Sequence, residues 1–427
     1  MPNCSGPLRV AVYSVFLACC TTQLARAEQS ALLTPTGSYS VGRTFLYWTD
    51  PNRADPVAAR TGTKREFMVI AWYPAETNNS EAHAPWMPER WALSEAKLLY
   101  YQRLNSPNPL TLGEALRAIH GSVSSSIGEA PPAQTKNLWP LLLFSPGAGV
   151  NPAFYSTFTE DLASHGYAVF AVVPTGWVDT IFPDGHRVPA SDKRSDYDKW
   201  ITGTALPLWA GDLRFMLDQI QRVDRDPSSV FFQRLDLNKI GAFGHSFGGA
   251  ASILAGLQDQ RIRAVLNLDG SPFGVLSKTV LPKPLMVIKE DVSPKYWTAP
   301  RDESEKAIEA QVGEELSSVY LKGKPGYRVE ITDAKHMTFC DMAVLPAWAD
   351  FGRRFGADNA ADAEMTLSLI RDYVRGFFDK FLLGSASSLV DRAPGKNGIS
   401  ILSRTKLGAV RHPASLRVLM REQASIR

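Results

Sequence analysis

The sequence predicts an α/β fold with a mostly parallel central sheet and helices on both faces of that sheet. Strand-like and helix-like segments alternate over residues 141–382, the pattern of parallel strands that are joined by helices. The strand-like runs at 141–144, 167–173 and 262–268 are almost wholly apolar, as expected for strands buried on both faces. A Gly-rich turn at 244–248 stands between a strand-like run and a helix-like run, which places it at the edge of the sheet.

Apolar periodicity and the Gly, Pro and Asn positions that interrupt it predict the remaining elements. Two β-rich runs come before the alternating region, and a helix-like stretch separates them from it. In chain order, we expect strands at 44–48, 66–73, 141–144, 167–173, 239–243, 262–268, 284–288 and 327–331, and helices at 88–104, 154–165, 206–223, 247–257 and 365–382.

The first 27 residues have the layout of a secretory signal peptide. Arg9 precedes an apolar run at 10–20, and Ala25-Arg26-Ala27 is a small-x-small cleavage site, so the mature chain is expected to begin near Glu28. The run is too short to span a bilayer, which disfavours an uncleaved anchor. A lipoprotein signal is a second alternative, since residues 17–20 loosely resemble a lipobox. We expect a secreted or periplasmic protein.

Composition and charge exclude several classes of function. The net charge is +3 over 427 residues, so no nucleic-acid partner is expected. Signal cleavage leaves Cys340 as the last of four cysteines, and no disulfide can form within the chain. No group of Cys and His has metal-binding spacing, and no Gly-x-Gly-x-x-Gly follows the first core strand. We therefore expect neither a metal nor another cofactor.

The Gly-rich turn has the pattern Gly-x-Ser-x-Gly at 244–248, with Ser246 at its centre. A strand leads in and a helix leads out, which is the context of a nucleophile elbow and predicts the α/β-hydrolase fold. Glycines flank the serine because side chains there would collide in so tight a turn. The N–H groups at the start of the following helix point towards the serine oxygen, where negative charge develops during ester cleavage.

A serine hydroxyl needs a general base, and this fold orders its residues as serine, acid, histidine. His336 and His412 are the two histidines after Ser246. His336 follows the last predicted strand, where this fold places its base, whereas His412 lies in the basic tail. Cys340 lacks an elbow and is expected to be a packed free thiol.

Two carboxylates are candidates for the residue that orients the base. Asp269 directly follows the strand at 262–268, and Asp291 follows the next strand. Both positions lie at the carboxyl edge of the sheet, and the residues alone leave the choice open. For the oxyanion hole we expect the backbone N–H of Phe247, next to the nucleophile, and that of Ala148 in the turn after the first core strand.

These residues resemble the plasma-type platelet-activating factor acetylhydrolase family and its bacterial lipase-like relatives. The matching segments are 65–74, 144–149, 161–167, 244–250 and 268–269, within a likeness that covers roughly residues 39–383. The resemblance implies Asp269 as the acid, in preference to Asp291, and supports His336 as the base. Pro146 stands where the family pattern has a histidine.

Three regions follow from these observations: a signal peptide at 1–27, a hydrolase domain at 28–384 with an insertion at about 76–137, and a tail at 385–427. The tail carries eight Lys or Arg against two acidic residues, and we expect it to be disordered. The insertion and the tail have no family counterpart.

The sequence predicts a serine esterase that cleaves short-chain or phospholipid acyl esters through an acyl-enzyme. A lipase or polyester hydrolase with a wider cleft is one alternative, and a non-catalytic binding protein on the same fold is another. The expected partners are small-molecule or lipid esters, with transient contact to a lipid surface; the oligomeric state is left open.

Overall fold

A computed structural model describes residues 30–58, 60–76, 82–190, 200–273, 276, 279–290, 325–331, 334–348, 360–386, 389–390 and 399–402. The predicted signal peptide, Asp291 and His412 lie outside these residues. The strands are β1 Ser30–Ala31, β2 Ser40–Ala54, β3 Lys64–Ala75, β4 Ser122–Val123, β5 Ser126–Gly128, β6 Trp139–Ser145, β7 Ala168–Val172, β8 Thr180–Ile181, β9 Arg187–Val188, β10 Leu235–His245, β11 Ile262–Leu268, β12 Leu285–Lys289, β13 Gly326–Ile331 and β14 Ile399–Leu402. The α-helices are α1 Glu89–Arg103, α2 Leu112–His120, α3 Ser156–Ser164, α4 Leu206–Val223, α5 Phe247–Gln258 and α6 Ala360–Leu383.

The central sheet contains ten of the described strands, in the order β14-β13-β12-β11-β10-β6-β7-β3-β2-β5. Every neighbouring pair from β14 to β7 is parallel, whereas β3 runs antiparallel to both β7 and β2. All seven residues of β6 are buried, because side chains alternate between two covered faces. The predicted mostly parallel α/β-hydrolase sheet is confirmed.

Helices cover both faces of the sheet. Leu142 and Phe144 of β6 belong to an apolar cluster that includes residues of α3 and α6, on one face. Leu141 and Leu143 belong to a second cluster, with residues of α4 and α5, on the other face. This alternation determines which residues of each strand face which helix layer. Both layers lie against the faces of the sheet, so a functional site can form at the ends of the strands.

The segment predicted as an insertion is tied closely to the sheet. Its helices α1 and α2 pack against each other, and β5 forms the edge strand beside β2. Arg43 of β2 donates to the backbone oxygens of Pro85 and Trp86, and the Trp86 indole donates to Ala153 O. The Ser-, Gly- and Pro-rich stretch after α2, residues 121–136, therefore contains two strands, β4 and β5, in addition to a connection.

One part of the basic tail forms a strand of the central sheet. Residues 399–402 form β14, which pairs in parallel with β13 at the other edge of the sheet. Their sequence, Ile-Ser-Ile-Leu, is rich in residues that favour strands, and β13 offers them the backbone groups on its side away from β12. Within the described residues, no helix combines the length and apolar character that crossing a bilayer requires.

Candidate active site

The strand β10 ends at His245, and the helix α5 begins at Phe247, so Ser246 alone makes the turn between them. Its φ of 53° is left-handed, which is strained for a residue with a side chain. A Cβ on Gly248 would lie 2.1 Å from the backbone oxygen of Ser145, and only glycine fits there. The turn therefore presents the Ser246 hydroxyl at the carboxyl edge of the sheet.

Asp269 occupies a similar turn after the neighbouring strand β11, with a φ of 55°. Its backbone N–H donates to Ile288 O over 2.7 Å, which ties the turn to β12. The side chain of Asn267 bridges the turn, since its oxygen accepts from the Gly270 N–H and its amide donates to the Gly270 carbonyl. The backbone of Asp269 and the side chain of Asn267 therefore fix this turn independently of the groups that bind the carboxylate.

His336 brings the serine and the carboxylate together. Its Nε2 lies 2.8 Å from Ser246 Oγ, and its Nδ1 lies 2.6 Å from Asp269 Oδ2. A carboxylate only accepts, so Nδ1 carries the proton and Nε2 is left to accept the serine proton. Asp269 is 3% exposed, whereas the His336 side chain is 39% exposed and accessible from solvent.

The other Asp269 oxygen, Oδ1, accepts from the ammonium of Lys289 over 2.6 Å and from the Glu290 N–H over 3.1 Å. Burial opposes ionisation of Asp269, but Lys289 and His336 outweigh it and lower the pKa of this carboxyl. Burial likewise opposes charge on His336, yet Asp269 and then Glu290 raise its pKa above the ordinary value. Burial and the Asp269 charge raise the pKa of Glu290 to about 6.

A buried hydrogen-bond chain connects the turn after β6, the end of β10 and the segment that carries His336. The N–H of Gly147 donates to the Tyr155 hydroxyl over 3.0 Å, and that hydroxyl donates to His245 Nδ1 over 2.8 Å. His245 Nε2 then donates to the backbone carbonyl of His336 over 2.9 Å. Burial, followed by the charge of His336, holds the pKa of His245 well below its usual range, so this imidazole is neutral.

The two expected oxyanion donors are backbone groups next to the ends of β10 and β6. Phe247 is the first residue of α5, so its N–H has no acceptor within the helix. Ala148 is exposed in the turn after β6, and β6 pairs with β10 up to Ser145 and Gly244. Both backbone groups therefore lie at the same edge of the sheet as Ser246.

Phe247, the residue after the serine, packs within a group of aromatic rings. Its ring centroid lies 5.0 Å from that of Trp209 and 5.7 Å from that of Phe273. Trp177 lies 5.3 Å from Trp209 and continues the group. Trp177, Trp209 and Phe247 are each no more than 4% exposed, so these rings belong to the apolar core on the α4 and α5 side of the sheet.

The structure brings together three of the predicted side chains, Ser246, Asp269 and His336. Cys340 is fully buried, and burial raises the pKa of its thiol, as expected for an unreactive packed residue. Lys289 and Glu290 were missed by sequence reasoning, although their position at the end of β12, beside the Asp269 turn, was a usable signal. Tyr155 gave no such signal.

The described residues contain one group with the composition of a metal site. Donor atoms of Asp269, Glu290 and His336 lie within 4.8 Å of one another. The ammonium of Lys289 already lies on Asp269, and His336 Nδ1 on the same carboxylate carries a proton. The arrangement does not fit a bound cation.

A family model described as "Platelet-activating factor acetylhydrolase, isoform II" matches residues 24–174 and 226–382. The platelet-activating factor acetylhydrolase of Cavia porcellus is 24% identical over 375 residues, covering 81% of this chain and 77% of that protein. A probable 1-alkyl-2-acetylglycerophosphocholine esterase of Arthroderma benhamiae is 30% identical over 139 residues, 32% of each chain. The segments that carry Ser246, Asp269 and His336 all fall within the matched ranges.

A solved structure, the ferulic acid esterase from Streptomyces cinnamoneus, resembles this chain with a TM-score of 0.64 and 27% sequence identity. The similarity covers 87% of this chain and 98% of that one. This likeness in fold, which extends over nearly the whole of the ferulic acid esterase, agrees with the family match.

Proposed function

The chain belongs to the platelet-activating factor acetylhydrolase, isoform II, family and is a carboxylic ester hydrolase, and from that premise we propose that it acts as a secreted serine esterase. The observation that carries the serine mechanism is the continuous contact from Ser246 Oγ through His336 to Asp269, over 2.8 Å and 2.6 Å. A base at hydrogen-bonding distance, itself oriented by a carboxylate, is what a serine hydroxyl needs to attack an ester.

In the first half of the proposed reaction, His336 Nε2 removes the proton from Ser246 as its oxygen attacks the ester carbonyl. The N–H groups of Phe247 and Ala148 bind the oxygen that becomes negative. Asp269 stabilises the imidazolium that forms, and His336 then gives its proton to the departing alcohol. The product is an ester between the acyl group and Ser246.

In the second half, water replaces the alcohol. His336 takes a proton from the water as it attacks the acyl-enzyme, and the same oxyanion donors bind the charge. The proton passes back to Ser246 Oγ as the carboxylic acid leaves. The exposed face of His336 is compatible with entry of water to the site.

For the substrate, we propose short-chain or phospholipid acyl esters, in keeping with the relatives that are named for acetylated glycerophosphocholine. A second candidate is an ester with a bulkier apolar acyl group, such as a long chain, a polyester unit or an aromatic acid. The observation in its favour is the likeness to a solved ferulic acid esterase, with a TM-score of 0.64 and 27% sequence identity.

Secretion is proposed from Ala25-Arg26-Ala27 and the apolar run before it. Protein isolated from its host should begin near Glu28 and carry no disulfide. Intact mass measurement checks this, and a lipid-modified N-terminus at Cys19 or Cys20 would show a lipoprotein instead.

Ser246→Ala tests the mechanism. Turnover of p-nitrophenyl acetate and labelling by a fluorophosphonate should both disappear, because the attacking oxygen is absent. Cys340→Ser is the matched control, since it changes the other nucleophilic side chain near the base and should keep both signals. Labelling that persists in Ser246→Ala would refute the assignment.

A series of p-nitrophenyl esters from acetate to palmitate, together with methyl ferulate, separates the candidate substrates. Highest kcat/KM with acetate supports the short-chain proposal. A preference for palmitate or ferulate supports the bulkier candidate and contradicts the first. Absence of turnover with every ester would contradict both and favour a binding protein.

A further inference from the structure

We propose that Lys289 and Glu290 are positioning residues that act on His336 in opposite directions, Lys289 favouring the neutral imidazole and Glu290 favouring the imidazolium. The inference rests on the proposed serine mechanism, in which only the neutral imidazole can accept the proton of Ser246. The two residues are adjacent, at the end of β12, and both contact the carboxylate that orients the base.

Lys289 acts through Asp269. Its ammonium lies 2.6 Å from Oδ1 of a carboxylate whose other oxygen, Oδ2, bonds His336. Lys289 is 8% exposed and the Asp269 side chain 1%, so solvent screens this pair little. A carboxylate that already neutralises one cation attracts a second cation less strongly, which disfavours protonation of His336.

Glu290 acts on the imidazole from the same strand end. Its backbone N–H donates to Asp269 Oδ1 over 3.1 Å. A donor oxygen of Glu290 lies within 4.8 Å of those of Asp269 and His336. A second negative charge so close to the ring stabilises the imidazolium.

Within the described part of the chain, few charged groups face His336. Among the described residues, Asp269 comes from the end of β11, Lys289 and Glu290 from the end of β12, and His245 from β10. The His245 ring centroid lies 4.6 Å from that of His336, but its imidazole is neutral. The competition is therefore between two carboxylates and one ammonium.

A lysine with no role in the site lies two residues before the start of the same strand. Lys283 is also 8% exposed, but its ammonium donates to the backbone oxygens of Gly256 and Asp259. It lies at the amino-terminal end of the parallel strands, whereas Ser246 lies at their carboxyl end, and it touches no described residue of the site. Lys283→Met therefore removes a buried ammonium from the same segment without touching the base.

The experiment measures the pH dependence of kcat/KM on p-nitrophenyl acetate for wild type, Lys289→Met, Glu290→Gln and Lys283→Met. Activity requires neutral His336, so it falls as pH falls through the pKa of this residue, which is raised above 6.5. Lys289→Met should move this acidic limb up by about one pH unit, and Glu290→Gln should move it down by a similar amount. Lys283→Met should leave it in place.

A structural role alone would lower stability or kcat without moving the limb. Lys289→Met should also reduce kcat by about tenfold, because Asp269 loses one of its anchors. Lys289→Arg keeps the charge and should restore the limb towards its wild-type position. Shifts of both test variants in one direction, or a limb unmoved in either folded variant, would overturn the proposal. Should Lys289→Met fail to fold, Lys289→Gln, which also removes the ammonium, takes its place and should move the limb up in the same way.

A second readout separates this inference from the proposed function. Proton NMR of the Nδ1–H of His336, assigned by its absence in His336→Gln, titrates the imidazole without any substrate. Opposite shifts in the NMR titration with no ester turnover would refute the esterase and leave the electrostatic assignment standing. Normal turnover without the opposite shifts would refute the assignment of Lys289 and Glu290 alone.

Discussion

Asp269→Asn replaces one carboxylate oxygen with an NH2 group at a position where the surroundings determine how the amide lies. Two donors, the Lys289 ammonium and the Glu290 N–H, converge on Oδ1, so the amide oxygen should remain on that side. The NH2 group then faces His336 Nδ1, 2.6 Å from the replaced oxygen. Nδ1 must accept from it, and the ring proton moves to Nε2, which faces Ser246.

An imidazole with its proton on Nε2 cannot take the proton of the serine. The same exchange in a serine protease triad lowers turnover about 10⁴-fold, equivalent to about 5 kcal/mol in the barrier, and we expect that scale here. The variant also leaves the buried ammonium of Lys289 without its nearest counter-charge, which should lower the free energy of unfolding by about 3 kcal/mol. The loss in turnover and the loss in stability have separate origins.

Steady-state kinetics on p-nitrophenyl acetate, at a temperature where circular dichroism shows folded protein, measure the first effect. Urea denaturation measures the second. Asp291→Asn, the alternative acid in the sequence, is the matched control and should stay close to wild type in kcat. A folded Asp269→Asn variant that loses less than about tenfold would refute the tautomer argument. A large loss of kcat in Asp291→Asn would instead assign the acid to Asp291, one strand later in the chain.

Two further variants test the supports of the site. Tyr155→Phe leaves the buried Gly147 N–H and His245 Nδ1 without partners, so the free energy of unfolding should fall by about 2–4 kcal/mol. Its kcat should fall while KM stays near wild type, and unchanged kinetics would separate the network from catalysis. Gly248→Ala places a methyl group 2.1 Å from a backbone oxygen, so denaturation should show a loss of at least about 2 kcal/mol. Gly128→Ala, with nothing within 4 Å of the added Cβ, is its control and should be nearly neutral.

The interior strands were predictable because burial on both faces leaves continuous apolar runs. The run at 239–243 underestimates β10, which begins at Leu235, because Asp236 and Asn238 break the apolar pattern. The helix α2 was missed although Thr111 and Glu114 form a capping box at its start, a local signal that the sequence carries openly. Strand β14 was missed because pairing with a sheet edge depends on a partner far away in the sequence.

The positions of Ser246, Asp269 and His336 could be predicted because each follows a strand at the edge where parallel strands end. The contacts that the surrounding residues make with them could not be predicted. The contact between Lys289 and Asp269 depends on how far β12 extends beside the end of β11, which is a matter of register. Tyr155 reaches His245 from a turn 90 residues earlier, and no local pattern indicates that distance.

Hydrogen bonds to the central sheet stabilise the strained backbone conformations at the site. Ser246 and Asp269 both have left-handed φ values, 53° and 55°, each unfavourable by about 1–3 kcal/mol for residues with side chains. Each is tied to the next strand, since Ser246 N–H donates to Leu268 O over 2.8 Å and Asp269 N–H donates to Ile288 O over 2.7 Å. Backbone pairing therefore continues from β10 through β11 to β12, one residue beyond the regular strands. Because these two bonds set the positions of nucleophile and acid, a mutation that shifts the register of β11 should separate both from His336 at once.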